Sequence, residues 1–415
     1  MIFLGLKYLL SRRKQTFLML LGIFFGSAAY VSISGFMLGF REYLIDQLVN
    51  NNPHIHIQSR EDFLTEHSLD EVFYEKNYSF VFWDPPPSGR KDSAIIENPQ
   101  SWFERLRADS RVIAYSPILT AAVIFSNGKA TVPASVIGCD PLQQIKVTNI
   151  GNYVVEGSFT NLASGGNRLI IGEELKKRLG VRVEQNVLLS LAKSAPTPFK
   201  IVGIYKTGNK LSDSLAYGSL GDIQKVNQTL NQINQISVRV EDYSRAATIA
   251  NSWSLLSPEK VQSWDQINES IFNVFRIQDV VRFLSIGAIM IVAAFGIYNV
   301  LNMTVMQKRR DVAILRSMGY STGEIVSLFF TQGLMLGITG TLSGLTFGYF
   351  LCLYLKTLPF RGPMGGPGHM MVSMDPQIYM YAAILALCSA CIASILPAYS
   401  AGRLEPIEII RTGAE

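Results

Sequence analysis

Four stretches of the chain carry no Asp, Glu, Lys or Arg: Phe17–Phe40, Phe283–Met306, Ile325–Leu355 and Pro376–Gly402, of 24, 24, 31 and 27 residues. A helix that crosses a bilayer needs about 20 mainly apolar residues. Buried core helices are rarely so long or so free of charge, so the pattern predicts four transmembrane helices. The first block is too long for the apolar region of a signal peptide, and no Ala-x-Ala-like site follows it, which makes it a retained helix.

The pattern changes between the first and second blocks. Short runs rich in Val, Ile and Leu predict strands at 55–57, 121–125, 132–138, 168–171, 187–191 and 199–204. Helices are expected at Pro99–Ala108, Glu173–Leu179 (stopped by Gly180) and Gly221–Leu230. Residues 59–93 are polar and contain Pro85-Pro86-Pro87, which excludes helix and central strand and predicts an exposed loop or insertion. Trp264, Ile267, Ile271, Val274 and Phe275 recur at helical spacing, so a helix is expected to run on into the second apolar block. Helix 1 is expected to extend likewise through Arg41–Val49. The order of strands in the sheet is not readable.

Basic residues orient the spans. Lys7, Arg12, Arg13 and Lys14 precede helix 1, Lys308, Arg309, Arg310 and Arg316 lie between helices 2 and 3, and Arg403 and Arg411 follow helix 4. The loop between helices 3 and 4 has only Arg361. Both termini are therefore expected in the cytoplasm, with residues 41–282 and 357–375 outside. Set against Asp311, Glu405, Glu408 and Glu415 in the same segments, the ten inner basic residues leave a surplus of +6, about the whole net charge of +5.

Composition adds mainly exclusions. A net charge of +5 is too small and too dispersed for a nucleic-acid binder. Four Cys cannot staple a fold, and four His leave little material for a metal site. No G-x-x-x-x-G-K-[ST] or H-E-x-x-H occurs, and no catalytic site is expected. His54 and His56 share one face of a strand and read as a surface pair, and Cys388-x-x-Cys391 reads as two packing residues in a helix. The apolar blocks carry no acid or base at depth, which argues against an ion-driven pump. Gly333, Gly337, Gly340, Gly344 and Gly348 form a stripe in the third block. It suits close helix packing, within the chain or between subunits. The segment Gln307–Glu324 predicts a short amphipathic helix ending at Gly319, either a membrane-surface anchor or a helix that docks in a partner's groove.

Several motifs carry a resemblance. Asp311-Val-Ala-Ile-Leu-Arg-Ser-Met-Gly319 is similar to the segment after the second helix of FtsX/MacB-type ABC permeases, where Glu is usual at the first position. Leu396-Pro397-Ala398-Tyr399 through Arg411 resembles the closing signature of that family. Ile171-Gly172-Glu-Glu-Leu175, Val136-Ile-Gly138-Cys-Asp140-Pro141 and Ser263-Trp264…Asn268-Glu-Ser-Ile-Phe272 resemble its periplasmic motifs, closest to the LolC/LolE lipoprotein-releasing branch.

The resemblance implies a type VII ABC permease: an α-helical membrane protein of the bacterial inner membrane, with four transmembrane helices and a large α+β periplasmic domain inserted between helices 1 and 2. The expected parts are a cytoplasmic N-terminus, helix 1 and stalk (1–49), a MacB-like periplasmic core (50–262), stalk and helix 2 (263–306), a coupling helix (307–324), helix 3 (325–356), a short periplasmic loop (357–375), helix 4 (376–402) and a cytoplasmic tail (403–415). The implied partners are a cytoplasmic ABC ATPase dimer, a second permease subunit, membrane lipids, a lipoprotein substrate and a periplasmic carrier, with no nucleic acid. ATP and Mg belong to the ATPase, and this chain holds no cofactor. Lys308, Arg309, Arg310, Asp311, Ala313, Leu315, Arg316 and Gly319 are the implied ATPase-coupling residues. Phe36, Met37, Phe40, Ile286, Met290 and Ala293 are the implied lining of a substrate cavity. Leu191–Phe199 is short where the LolC branch presents a protruding hook to the carrier, so the chain looks more LolE-like, or belongs to a system without that hook. The alternatives are a MacB-like efflux permease for peptides or amphiphiles and an FtsX-like transmembrane signal transmitter.

Overall fold

A computed structural model of the protein describes residues 13–73, 83–90, 94–128, 130–191, 195–360 and 368–403. They form two compact units, with breaks along the chain after Leu44 and after Phe272. Helix α1 (Arg13–Asn51) contributes to both.

The unit of residues 45–272 is built on one mixed sheet. In chain order it contains β1 (Ile55–Gln58), α2 (Pro99–Ala108), β2 (Val112–Asn127), β3 (Ala130–Cys139), α3 (Pro141–Val147), β4 (Val154–Gly157), β5 (Arg168–Gly172), α4 (Glu173–Leu179), β6 (Asn186–Ser190), β7 (Thr197–Tyr205), β8 (Ala216–Ser219), α5 (Leu220–Asn227), β9 (Gln235–Val240), α6 (Ala246–Ser254) and β10 (Lys260–Ser263). The order across the sheet is β10-β1-β9-β2-β3-β8-β5-β7-β4, with β6 paired to β2 and β7. The β3–β8 and β5–β7 pairs are parallel and the others antiparallel.

Local chemistry sets the helix ends. The Asn98 side chain accepts from Ser101 N ahead of Pro99, and Asp140 accepts from Leu142 N and Gln143 N ahead of Pro141. Gly180, at φ +65°, closes α4 in the left-handed region. Alternation along the strands then builds separate cores. Ile55, Ile57, Ile236 and Val238 pack with Trp102 of α2 and Trp253 of α6. Val136, Leu169, Ile171 and Ile201 pack with Leu175 of α4 and Ile223 of α5. On the other side of β5, Ile170 joins Ile118, Cys139, Phe159 and Tyr205 in a smaller core.

Among the described residues four helices are long and apolar enough to cross a membrane: α1, α7 (Glu269–Gln307), α9 (Thr322–Thr357) and α10 (Pro376–Gly402). A short α8 (Arg309–Ser317) links α7 to α9. One expectation needs correction here. The Trp264–Ile267 turn is not continuous with α7, because Asn268 leaves helical geometry at φ −100°, ψ 25°. Trp264 turns into the domain core while Val274 is exposed, so the helical spacing joined two separate elements.

The glycine stripe of α9 meets two neighbours of the same chain. A Cβ at Gly333 would strike Ser394, and one at Gly337 would lie 2.8 Å from Ala390 Cβ, both on α10. A Cβ at Gly340 would lie 2.8 Å from Ile23 Cβ, at Gly344 2.6 Å from Phe24 O, and at Gly348 3.0 Å from Val31 Cβ, all on α1. Small residues let the backbones approach where lipid gives no hydrophobic drive for helix association. Further along α1, Arg41 pairs with Asp279 of α7 at 3.4 Å and lies over the Phe275 ring. Ser373 N, in the loop before α10, donates to Gly35 O at 2.9 Å.

Candidate functional site

Helix α8 is held on one side and open on the other. Val312 is buried against Val305, Ile325, Phe329, Ala398 and Ala401, and Ala313 is buried beside it. Lys308 Nζ pairs with Asp311 Oδ2 at 2.6 Å. Leu315 is half-buried in the same cluster, and Arg316 donates through Nη1 to Tyr320 O at 3.3 Å. Gly319, at φ +96°, ends the segment, and a capping box between Ser321 and Glu324 starts α9. Arg309, Arg310, Ile314 and Met318 are exposed. The eight expected coupling residues thus divide: Ala313 and Leu315 fasten the helix, Lys308 and Asp311 pair with each other, and Arg309 and Arg310 offer positive charge outward. Ile314 and Met318, apolar and exposed beside those arginines, were not singled out from sequence. Their position on the helical face opposite Val312 was the available signal.

An apolar groove of about 480 Å³ lies between α1 and α7, lined by Gly22, Phe25, Ala288, Ile289, Val292, Ala293 and Gly296. Of the six expected cavity residues, Ala293 is among the lining. Ile286 and Met290 are packed in the core of the bundle with Ile23 and Tyr30. Phe36 and Phe40 lie further along α1, their rings 6.3 Å apart, and Phe40 also meets Phe360; Met37 is half-buried between them. Gly22 and Gly296, one on each helix, open the groove. Gly22 packs toward Ala293 and Gly296 has open space where a side chain would stand, so small residues on adjacent helices were the signal that the search for large apolar side chains passed over.

The histidines are not a surface pair. His54 is 3% exposed, with Nδ1 3.0 Å from Val240 O. His56 Nδ1 accepts from Gln235 Nε2 at 2.8 Å. Both lie on the sheet face opposite Ile55 and Ile57, where α1 and other segments cover them. Burial pushes the His54 pKa down, aided by Arg239, and burial pushes His56 down to about 4. Among the described residues no three metal-ligating side chains cluster. Residues 192–194, in the segment compared with the hook, and 404–411 of the closing signature lie outside the described residues. The flanking strands β6 and β7 pair Leu189 with Thr197.

The described residues thus combine four membrane-length helices, a mixed-sheet domain and a short basic link helix. The chain belongs to the MacB-like periplasmic core domain family, whose model matches residues 16–254, and the FtsX-like permease C-terminal model matches residues 283–406. It is 24% identical over 441 residues to the lipoprotein-releasing system transmembrane protein LolC of Xylella fastidiosa strain Temecula1, covering 98% of each chain. It is also 24% identical over 339 residues to LolE, of the same description, from Haemophilus influenzae, covering 76% of this chain and 81% of that one. Among solved structures, the periplasmic region of MacB from Actinobacillus actinomycetemcomitans matches with a TM-score of 0.35 and 13% identity, over 55% of this chain and 95% of that one. The four apolar helices and the permease family make this an inner-membrane protein.

Proposed function

We propose that the chain is the permease subunit of an ATP-driven transporter that extracts lipoproteins from the outer leaflet of the inner membrane and hands them to a periplasmic carrier. The observation that carries this reading is the apolar groove between α1 and α7. Its lining has no charge and no strong hydrogen-bonding side chain, so it suits an acyl chain and little else. Each methylene taken from an apolar site into water costs about 0.8 kcal/mol, so a chain of about sixteen carbons resists release by roughly 12 kcal/mol. Release therefore needs an external energy source, and this chain shows no nucleotide-binding motif to supply it.

In this reading a separate ATPase dimer, holding ATP and Mg, docks on α8 through Arg309, Arg310, Ile314 and Met318. A second permease subunit, of the same or a homologous kind, completes the substrate cavity. Closure of the ATPases moves α8 and, through Val312 and Phe329, the helices packed on it. The near full-length similarity to LolC and LolE supports the lipoprotein as cargo over the efflux and signalling alternatives.

A photoreactive residue at Val292, an exposed position of the groove, tests the reading. In the complete complex, reconstituted with a triacylated lipoprotein, it should form an adduct with the acyl chains that disappears on adding ATP. An ATP-competent complex that gives no adduct would sink the lipoprotein reading.

A further inference from the structure

The unit of residues 45–272 contains a polar cavity that transport of an acyl chain does not use. Its volume is about 390 Å³, inside the ~300–1,000 Å³ range of small-molecule sites. The floor is the sheet face opposite Ile55 and Ile57, where β1, β9 and β8 present His56, Gln235, Ser237 and Tyr217. The walls are the last turn of α1 with Asn51, Gln144 of α3, Asn209 of the loop after β7, and Asn268.

The lining is uncharged and mixes polar side chains with apolar ones such as Ile118, Ile137, Ile150 and Leu215. Seven of its side chains are carboxamides, and none is Asp, Glu, Lys or Arg. His56 is neutral at pH 7, since burial pushes it down to about 4. A charged ligand would be desolvated there without a counter-charge, and an apolar one would leave the amides unsatisfied. A carboxamide offers a donor and an acceptor from one planar group, and a hydroxyl does both from one atom, so the two match.

The groups are held in place in advance. Gln235 Nε2 donates to His56 Nδ1 at 2.8 Å and to Ser237 Oγ at 3.1 Å, and Asn51 Nδ2 donates to Gln47 Oε1 at 2.8 Å. Two buried oxygens of the wall, Asn51 Oδ1 and Gln144 Oε1, have no hydrogen-bond partner, and Gln144 is only 3% exposed. The Tyr217 ring is fixed edge-on between Tyr205, 5.5 Å away, and Phe159, 5.4 Å away. It supplies a rigid apolar face for the C–H side of a sugar ring.

We propose that this cavity binds a neutral saccharide of one or two rings. A short peptide is the weaker fit, because its charged termini would meet no partner in the lining. Asn51 ends α1 and Asn268 precedes α7, so the bound sugar touches the domain-side ends of both long helices.

The test uses the full chain in lipid nanodiscs, free of sugar-headed detergent, titrated calorimetrically with N,N′-diacetylchitobiose, maltose and lactose. At least one should bind saturably. Asn51→Ala and Gln235→Ala should each weaken it about tenfold, and Leu255→Gln, outside the lining, should not. Asn52→Ala changes an exposed rim residue and should weaken binding even if the two inner variants fail to fold. No saturable binding of any of the three sugars up to about 10 mM would overturn the proposal. So would unchanged affinity in Asn52→Ala together with the inner variants that fold, or binding of N-acetyl-Ala-Ser-amide in place of the sugars. The readout needs neither ATPase nor lipoprotein, so its failure leaves the transport reading standing.

Discussion

At the scale of single residues, His56 shows how little a side chain's type says about its surroundings. In the sequence it alternates with His54 in a polar-looking stretch. In the fold it lies on β1, one strand in from the β10 edge of the sheet, and burial moves its pKa from 6.5 to about 4. The consequence for stability has a definite sign. Above pH 6.5 both folded and unfolded chains leave this ring neutral. Between about 6.5 and 4 the unfolded chain binds a proton that the folded one refuses, so stability falls as the pH drops through that window. Solvent reaching the ring through the cavity trims the effect to on the order of 2 kcal/mol. Three tryptophans, Trp102, Trp253 and Trp264, lie in the core beside β1 and report unfolding by fluorescence. Denaturant midpoints at pH 7.5 and 4.5 should differ less in His56→Gln than in the parent. An equal shift in both would show that folding does not depress the His56 pKa. Some slope should remain in the variant, because His54 is lowered too.

At the scale of elements, what was legible depended on how many residues spoke for each one. Every position in a charge-free run of 24 or more residues says the same thing, and the four long helices stand where those runs are. Strands β2, β3, β5, β6 and β7 were visible as Val/Ile/Leu runs, and Gly180 gave the end of α4. The short β4, β8 and β10 were not, since four residues such as Ala216-Tyr-Gly-Ser219 carry no periodicity to count. Strand order was closed to sequence for another reason. β1 pairs with β9 and β10, Ile55 meeting Val238 and Ser263, and nothing local encodes partners so distant. The candidate groove was missed in the same way: large apolar residues such as Met290 pointed to it, but they fill the bundle core, and glycines leave the opening. Helix α8 was the most legible part of the candidate site, because its basic start, apolar face and Gly319 stop are all local. Arg309 and Arg310 are exposed while Val312 and Ala313 are buried. The double variant Arg309→Glu/Arg310→Glu should therefore keep the fold and lose contact with the ATPase. In the reconstituted complex we expect ATP hydrolysis to persist while lipoprotein release falls at least about tenfold. Unchanged release with normal complex assembly would remove α8 from the coupling role.

At the scale of the whole molecule, the small net charge of +5 is better understood as an address than as a binding signal. Lys and Arg gather in the three segments that the helix count puts on one side, and the loop of residues 357–375 has only Arg361. By the positive-inside rule we expect α8 in the cytoplasm and residues 45–272 outside. This orientation is what the transport proposal requires, since ATP is cytoplasmic and the carrier is not. It can be tested without any substrate. Cys139 and Cys352 are buried, while Cys388 and Cys391 lie in the apolar helix α10, so all four can be replaced to give a silent background. Two exposed positions then serve as reporters: Leu255, 87% exposed in the large domain, and Met318, 71% exposed just past α8. In cells whose outer membrane alone is permeabilised, a membrane-impermeant maleimide should label Leu255→Cys and spare Met318→Cys. Labelling of Met318→Cys should appear only once the inner membrane is opened as well. The reverse order would invert the molecule, place α8 out of reach of any cytoplasmic ATPase, and defeat the proposed function at its root.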